Sequence, residues 1–348
     1  TVSSFDTHKA TQAYSLPVTA SWELDVFGRM RNAKKQAKAL YAQSEDYRQA
    51  VRTQLITGIA NTYYTLLMLD EQLDLSRQTE TAWKETVAST RALMNAGLAN
   101  ESAVSQMEAA YYQVQSSVLD LQQQISQVEN SLALLLAETP RNYERGMLAK
   151  QQFPTDLSIG IPVRMLSSRP DVRSAERTLE AAFYGTNAAR SAFYPSITLS
   201  GSAGWTNSAG SLILNPGKFL ASAVGSLTQP LFNKGQVVAQ YRIARAQQEE
   251  AALGFQQTLL NAGSEVNDAL IAYQTSQGKR ILLDKQITSL QTALRSTSLL
   301  MEHGNTTYLE VLTSRQSLLS AQLSQTANHF TEIQSLINLY RALGGGQE

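Results

Sequence analysis

Proline placement limits this chain more than any other feature. Seven of its eight prolines lie between Pro140 and Pro230, leaving Val18 to Thr139 and Leu231 to Glu348 without the residue that breaks helix interiors. Each tract can hold very long helices. In the first, Val51, Leu55, Ile59, Tyr63, Leu66, Leu69 and Leu73 recur in steps of three and four, an apolar stripe of helical period. Past a break near Gly97, the residues Val104, Met107, Tyr111, Val114, Val118, Leu121, Ile125, Val128, Leu132 and Leu135 alternate the two steps as a heptad seam. The first stripe advances by about 3.7 residues per step and the second by about 3.5, so the twist is expected to change along the tract.

The second tract echoes the first at a gapless offset of 207 residues: Leu24 and Leu231, Gly28 and Gly235, Leu75 and Leu282, Met94 and Met301, Gly97 and Gly304, Val104 and Val311, Leu132 and Leu339. Two structurally equivalent halves are expected, each a helical hairpin turned at a glycine. The seam read from hydropathy in the second half runs through Leu309, Leu312, Leu319, Leu323, Phe330, Ile333, Ile337 and Tyr340. That is two residues earlier than the offset implies. Length and turn are therefore expected to repeat more faithfully than helix faces.

Two segments have a period of two. Ile197, Leu199, Ala203 and Trp205 alternate with Thr198, Ser200, Ser202 and Thr206; after a turn at Asn215, Pro216 and Gly217, Phe219 to Phe232 can return as a partner strand. Tyr14, Leu16, Val18, Ala20, Trp22 and Leu24 alternate likewise, with a mate at Val2 to Lys9. Apolar residues on one side, small polar ones on the other and Trp near the ends suit lipid outside and water inside. They also suit two hairpins on an ordinary water-facing sheet. In the membrane reading, four strands cannot close a barrel and open edges cannot face lipid, so several chains must share one cylinder. Two, three or four chains would all close it.

Helix lengths connect the segments. Met30 to Leu93 spans 64 residues, roughly 95 Å at about 1.5 Å per residue. Glu101 to Glu138 returns only part of the way, and Asp171 to Phe193 makes up the difference if stacked end to end. Gln236 to His303 and Tyr308 to Leu343 form the second pair. By the offset, a counterpart of Asp171 to Phe193 is expected upstream of residue 1.

Composition removes several function classes. The 29 Lys and Arg balance 29 Asp and Glu, which argues against nucleic acid, whose phosphates demand a basic excess. There is no cysteine, and His8, His303 and His329 are far apart, so no metal site and no cofactor is expected. No nucleophile, base and oxyanion donor can be assembled, so no enzyme is expected. No run reaches 18 apolar residues, which excludes a transmembrane helix and leaves a β-barrel open.

Particular residues narrow the field. Ser21 to Arg31 (Ser-Trp-Glu-Leu-Asp-Val-Phe-Gly-Arg-Met-Arg) closely resembles the signature of TolC-type outer-membrane efflux proteins. Ser168 to Val172, Phe193 to Leu199 and Asn338 to Gly346 resemble the same family in the same order. The drug-efflux branch that works with resistance-nodulation-division pumps is the nearer one. The resemblance implies a mainly α protein with a small membrane β part: long helical hairpins forming a trimeric α-barrel, and four strands per chain contributing to a twelve-stranded β-barrel in the outer membrane. It implies a homotrimer that works with a periplasmic adaptor and an inner-membrane transporter, as the passive exit duct of a multidrug pump. Members often begin with a lipidated cysteine. The competing reading is a soluble helical coiled-coil scaffold.

On this reading residues 1–25 form the first membrane hairpin, 26–139 the first periplasmic hairpin, 140–194 an equatorial segment with a stacked helix, 195–232 the second membrane hairpin and 233–348 the second periplasmic hairpin. The resemblance makes Gly97 and Gly304 the periplasmic tips, which meet the adaptor and close the duct at rest. It places Tyr308 to Thr313 where relatives carry pore-constricting carboxylates. Thr313 stands at the usual second aspartate position, so Glu310 is the candidate ring, with Glu101 a candidate to line the same mouth or to contact the adaptor. Arg29, Arg31, Lys34, Lys35 and Lys38 crowd a helix start where positive charge opposes the dipole, and are candidates for lipid head-group contact. Tyr63, Tyr64, Tyr111 and Tyr112 are expected to pack helices.

Overall fold

The computed structural model describes residues 14–151, 167–207, 219–303 and 307–346. Strand β1 (Tyr14–Leu24) leads into helix α1 (Arg29–Asn95), which turns into α2 (Glu101–Leu136). A short 3-10 turn at Leu148–Lys150 precedes α3 (Pro170–Ser191), strands β2 (Ser196–Asn207) and β3 (Phe219–Thr228), and the second helical pair, α4 (Gln236–Glu302) and α5 (Tyr308–Ala342). The expected mate at Val2 to Lys9, the turn at Asn215 to Gly217 and Gly304 lie outside the described residues. The chain divides into two compact units, Thr1–Glu45 with Ser174–Gln256, and Asp46–Arg173 with Gln257–Glu348.

In the first unit the strands form one antiparallel sheet in the order β1-β2-β3. The register aligns Leu16 with Trp205, Val18 with Ala203, Ala20 with Gly201, Trp22 with Leu199 and Leu24 with Ile197; β3 continues these rows with Phe219, Ala221, Ala223, Gly225 and Leu227. Directly paired residues share a face, so from Leu16 to Leu24 one side of the sheet is apolar, and the row beyond it pairs Tyr14 with Asn207. Its bulky members stand at the two ends, where Trp205 meets Phe219 edge-on at 5.2 Å and Trp22 pairs with Leu199; the middle rows are mostly Ala and Gly. The other side carries Thr19, Ser21, Thr198, Ser200, Ser202, Ser222 and Ser226, interrupted by Pro17, Leu220 and Val224. Ser202 and Ser222 share a hydroxyl hydrogen bond of 2.8 Å. Among the described residues nothing covers either side: Val18 is 71% exposed, Trp22 is 66% exposed, and every residue of β3 is exposed.

The second unit is held by two helical pairs. Leu66 and Leu69 of α1 pack with Ile125 and Leu132 of α2, so the α2 heptad seam is this hairpin's core. The upper part of the α1 stripe stays in solvent, with Val51 and Leu55 exposed. In the second pair, burial corrects the expectation drawn from hydropathy. The covered face of α5 includes Val311, Ala321, Asn328, Glu332, Ser335, Leu339 and Ala342. These are the positions that the 207-residue offset assigns from Val104, Val114, Leu121, Ile125, Val128, Leu132 and Leu135. Helix faces therefore do repeat. They escaped hydropathy because small and polar residues occupy them: where the first hairpin has Leu69, Leu73, Leu121 and Ile125, the second has Ser276, Arg280, Asn328 and Glu332. Asn328 donates to the Ser276 carbonyl at 2.8 Å, and Arg280 lies 3.6 Å from Glu332.

Part of the leucine seam of α5 packs as well, against the first hairpin, while Leu309 and Tyr340 stay exposed. Ile333 meets Leu67 and Leu148, with Tyr63, Tyr64 and Ile337 around them, and Tyr308, Leu312 and Leu319 border a cluster of Trp83, Met107, Ala110 and Val114. Tyr111 joins that cluster, whereas Tyr112 is 62% exposed.

Candidate functional site

Each family motif resolves into contacts inside one unit. In the first, Phe27 stacks on Tyr194 with ring centroids 4.7 Å apart, joining the segment after β1 to the segment before β2. Phe193 meets Tyr241 edge-on at 5.7 Å. Gly28 and Gly235 both have φ of +77°, and each accepts from the amide four residues on, Asn32 and Ala239, at 2.9 Å. The strand-to-helix handover is thus the same in both halves.

The cationic cluster at the start of α1 is largely answered within the chain. Asp25 accepts from the Met30 and Arg31 amides at 3.0 and 2.8 Å, which places a carboxylate at the positive end of the helix. Glu23 pairs with Arg29 at 2.5 Å and Asp25 with Arg31 at 3.3 Å. The Lys35 ammonium sits 5.3 Å from the Tyr184 ring centroid. Lys34 and Lys38 point into solvent.

In the second unit, two motifs far apart in sequence meet at Arg169. Its guanidinium is almost fully buried and donates to the Ala342 carbonyl at the end of α5, to Asp171 and to Glu265 of α4. Burial alone would raise the Asp171 carboxyl, but hydrogen bonds and charge from Arg169 hold it below the usual carboxylate range. The glycines after α5 continue the joint: Gly345 presses on the Tyr340 ring so closely that no side chain would fit, and its carbonyl accepts from Thr53 on α1 at 2.9 Å. Sequence reasoning gave these motifs a shaping role and missed the Arg169 clamp. The motif was visible, but its partners lie 96 and 173 residues away.

The turn at the far end of α1 has a defined geometry. Gly97 adopts φ of +75°, a left-handed conformation, and Leu98 donates back to the Leu93 carbonyl at 2.9 Å, a Schellman-type close. Asn100 caps α2 by accepting from the Ala103 amide at 2.8 Å. Glu101 and Glu310 occupy the first turns of α2 and α5, where the helix dipole favours a carboxylate, and both are exposed. Thr313 is also exposed and donates to the Leu309 carbonyl one turn back. A groove of about 570 Å³ brings the two mouths together, lined by Leu93, Gly97, Leu98, Asn100, Met301 and Tyr308. Near it, the Arg315 guanidinium lies over the Trp83 ring at 5.5 Å, where burial lowers its pKa and the Glu85 charge acts in the opposite sense.

Among the described residues no group of three or more His, Cys, Asp or Glu could hold a metal, and no helix is long and apolar enough to cross a membrane. The candidate site is a set of surfaces: a bare sheet with one apolar face, and two helix mouths beside a groove.

Known proteins share this arrangement. Residues 2–138 and 161–345 match the family model described as outer membrane efflux protein. The chain is 28% identical over 337 residues to the cation efflux system protein CusC of Escherichia coli O6:H1, covering 97% of this chain and 73% of that one. It is 31% identical over 339 residues to the solvent efflux pump outer membrane protein SrpC of Pseudomonas putida, covering 96% and 71%. The solved structure of the outer-membrane channel OprN superposes with a TM-score of 0.90 at 25% identity, covering 97% of this chain and 82% of that one. The apolar sheet face, the repeated helical hairpins and these likenesses agree: this chain belongs to the outer membrane efflux protein family and is an outer-membrane efflux channel.

Proposed function

We propose that the protein is the passive exit duct of a tripartite efflux pump, a homotrimer whose strands close a shared twelve-stranded barrel and whose helical hairpins extend it into the periplasm. The carrying observation is the uncovered sheet with one apolar and one hydroxyl-bearing face. A sheet in water hides its apolar side. This one fits a wall with lipid outside and water within. Among the described residues the soluble scaffold has no surface to cover that face, which favours the channel.

In this reading the Gly97 turn, with the segment of Gly304, forms the periplasmic tip that meets an adaptor protein. An inner-membrane resistance-nodulation-division transporter supplies the drive, and the duct itself performs no chemistry. Glu310 contributes three carboxylates at the mouth, which attract cations and repel one another, with Glu101 nearby and Thr313 replacing a second charge. Lys34 and Lys38 meet anionic head groups below the barrel, because Arg29, Arg31 and Lys35 already have partners. Cargo is set by pump and adaptor. Planar-bilayer recording tests the proposal: purified protein is expected to give discrete, cation-preferring conductance steps, and an inert, water-soluble monomer would refute it.

A further inference from the structure

All three strands finish side by side at one end of the sheet, where Ile197 stands between Leu24 and Leu227 in the last apolar row. Just beyond that row opens a pocket of about 250 Å³ whose lining includes Glu23, Asp25, Phe27, Arg29 and Tyr194. Its polarity is graded with depth. The Glu23 side chain is 29% exposed, whereas that of Arg29, which donates to it through Nε and Nη2, is 57% exposed. Negative charge therefore sits within and positive charge at the rim. Asp25 is committed to the α1 amides and to Arg31. Phe27 stacked on Tyr194 supplies an aromatic wall, whose faces attract a cation. Between Thr228 and Pro230, which both border the pocket, Gln229 donates to the Phe193 carbonyl at 3.2 Å. The Gln229 amide oxygen is buried with no hydrogen-bond partner among the described residues. A buried acceptor in that state favours a ligand that brings N–H donors.

These features select a ligand that leads with an ammonium and carries an anion close behind it. Resting on the reading of the sheet as a membrane wall, we propose that the pocket binds the head group of phosphatidylethanolamine. Its primary ammonium donates to Glu23 and Gln229, and its phosphate meets Arg29, whose Nη1 is not used by Glu23. The order of charges matches. In this lipid the ammonium is outermost and the phosphate lies between it and the glycerol, so the first reaches the deep carboxylate while the second stops at the rim. The fatty chains then run along the apolar side of the sheet past Leu227 and Trp22, both exposed. A choline head group has no N–H donor for the Gln229 oxygen, and phosphatidylglycerol has no cation for Glu23. The contact is distinct from that of Lys34 and Lys38, which answer lipid charge alone.

Native mass spectrometry of the purified protein in detergent micelles, with each lipid added at equal concentration, tests the assignment. Phosphatidylethanolamine is expected to be retained about tenfold better than phosphatidylcholine or phosphatidylglycerol, the scale of one charge-assisted hydrogen bond. E23Q is expected to abolish that preference. Q229L, which leaves the Glu23 and Arg29 pair in place, is expected to reduce it and serves if E23Q disturbs the strand end. The double variant K34Q with K38Q is expected to keep the preference; its loss there would move the head group to the helix cations and overturn the pocket. Soluble phosphoethanolamine at matched concentration is expected not to displace the lipid, and displacement would make the free zwitterion the ligand and overturn the lipid assignment. Equal retention of all three lipids by a parent protein that still gives conductance steps in planar bilayers overturns the pocket and leaves the channel standing. A parent that shows neither preference nor conductance overturns both.

Discussion

At Arg169 one side chain joins the end of α5, the start of α3 and the flank of α4. Replacing it with methionine is expected to cost about 2 kcal/mol, below the roughly 3–5 kcal/mol of breaking a fully buried pair, because Asp171 and Glu265 are partly exposed and can regain water. A lower urea midpoint of the helical circular-dichroism signal is the check. The same pair fixes a pH dependence. Asp171 titrates below its unfolded value, so its stabilisation is full above the ordinary carboxylate range near pH 4 and is lost as pH falls through the lower folded value. Acid titration of R169M, followed by circular dichroism, is expected to show a shallower loss below about pH 4 than the parent. Pro170 at the first turn of α3 and Gly97 at the close of α1 were legible because each residue type answers a local backbone demand. The clamp was not, since no sequence pattern links residues so far apart. Glu310 carries a prediction for the channel itself: E310Q is expected to lower cation preference in single-channel recordings, and unchanged selectivity would remove that residue from the pore.

Helices α1, α2, α4 and α5 follow the limits that proline placement and periodicity imply, ending within about two residues of the expected bounds. Their faces were less legible. In α2 a leucine-rich heptad seam and the buried face coincide, so hydropathy suffices. In α5 two faces are packed, one apolar against the first hairpin and one small and polar against α4, and hydropathy sees only the first. Repetition of register, not composition, exposes the second. The two hairpins should therefore respond differently to substitution. L66A empties a fully buried site and is expected to cost about 3 kcal/mol by urea unfolding. N328L restores at α5 the residue type that α2 carries at Leu121, and is expected to change stability by no more than about 1 kcal/mol, because the Ser276 carbonyl can keep its helical partner.

For the channel as a whole, the decisive property is the two-sided sheet. Alternation marked its faces in the sequence, but the pairing of β1 with β2 was not foreseen, since it joins strands more than 170 residues apart. Facing decides which substitutions are tolerated. V18R places charge mid-strand on the apolar side, at a cost of about 2–4 kcal/mol in lipid, whereas T19R points the other way. Immunoblots of separated membranes are expected to show the first variant depleted from the outer membrane and the second retained. The apolar side is also uneven, with Trp205, Phe219, Trp22, Leu199 and Leu227 at its two ends and mostly Ala and Gly between. Such a wall has the profile of a spool. Bulky rims catch at the two boundaries of the oil layer and resist vertical slippage, while fatty chains press against the narrow waist, so depth is set by shape as well as by greasiness.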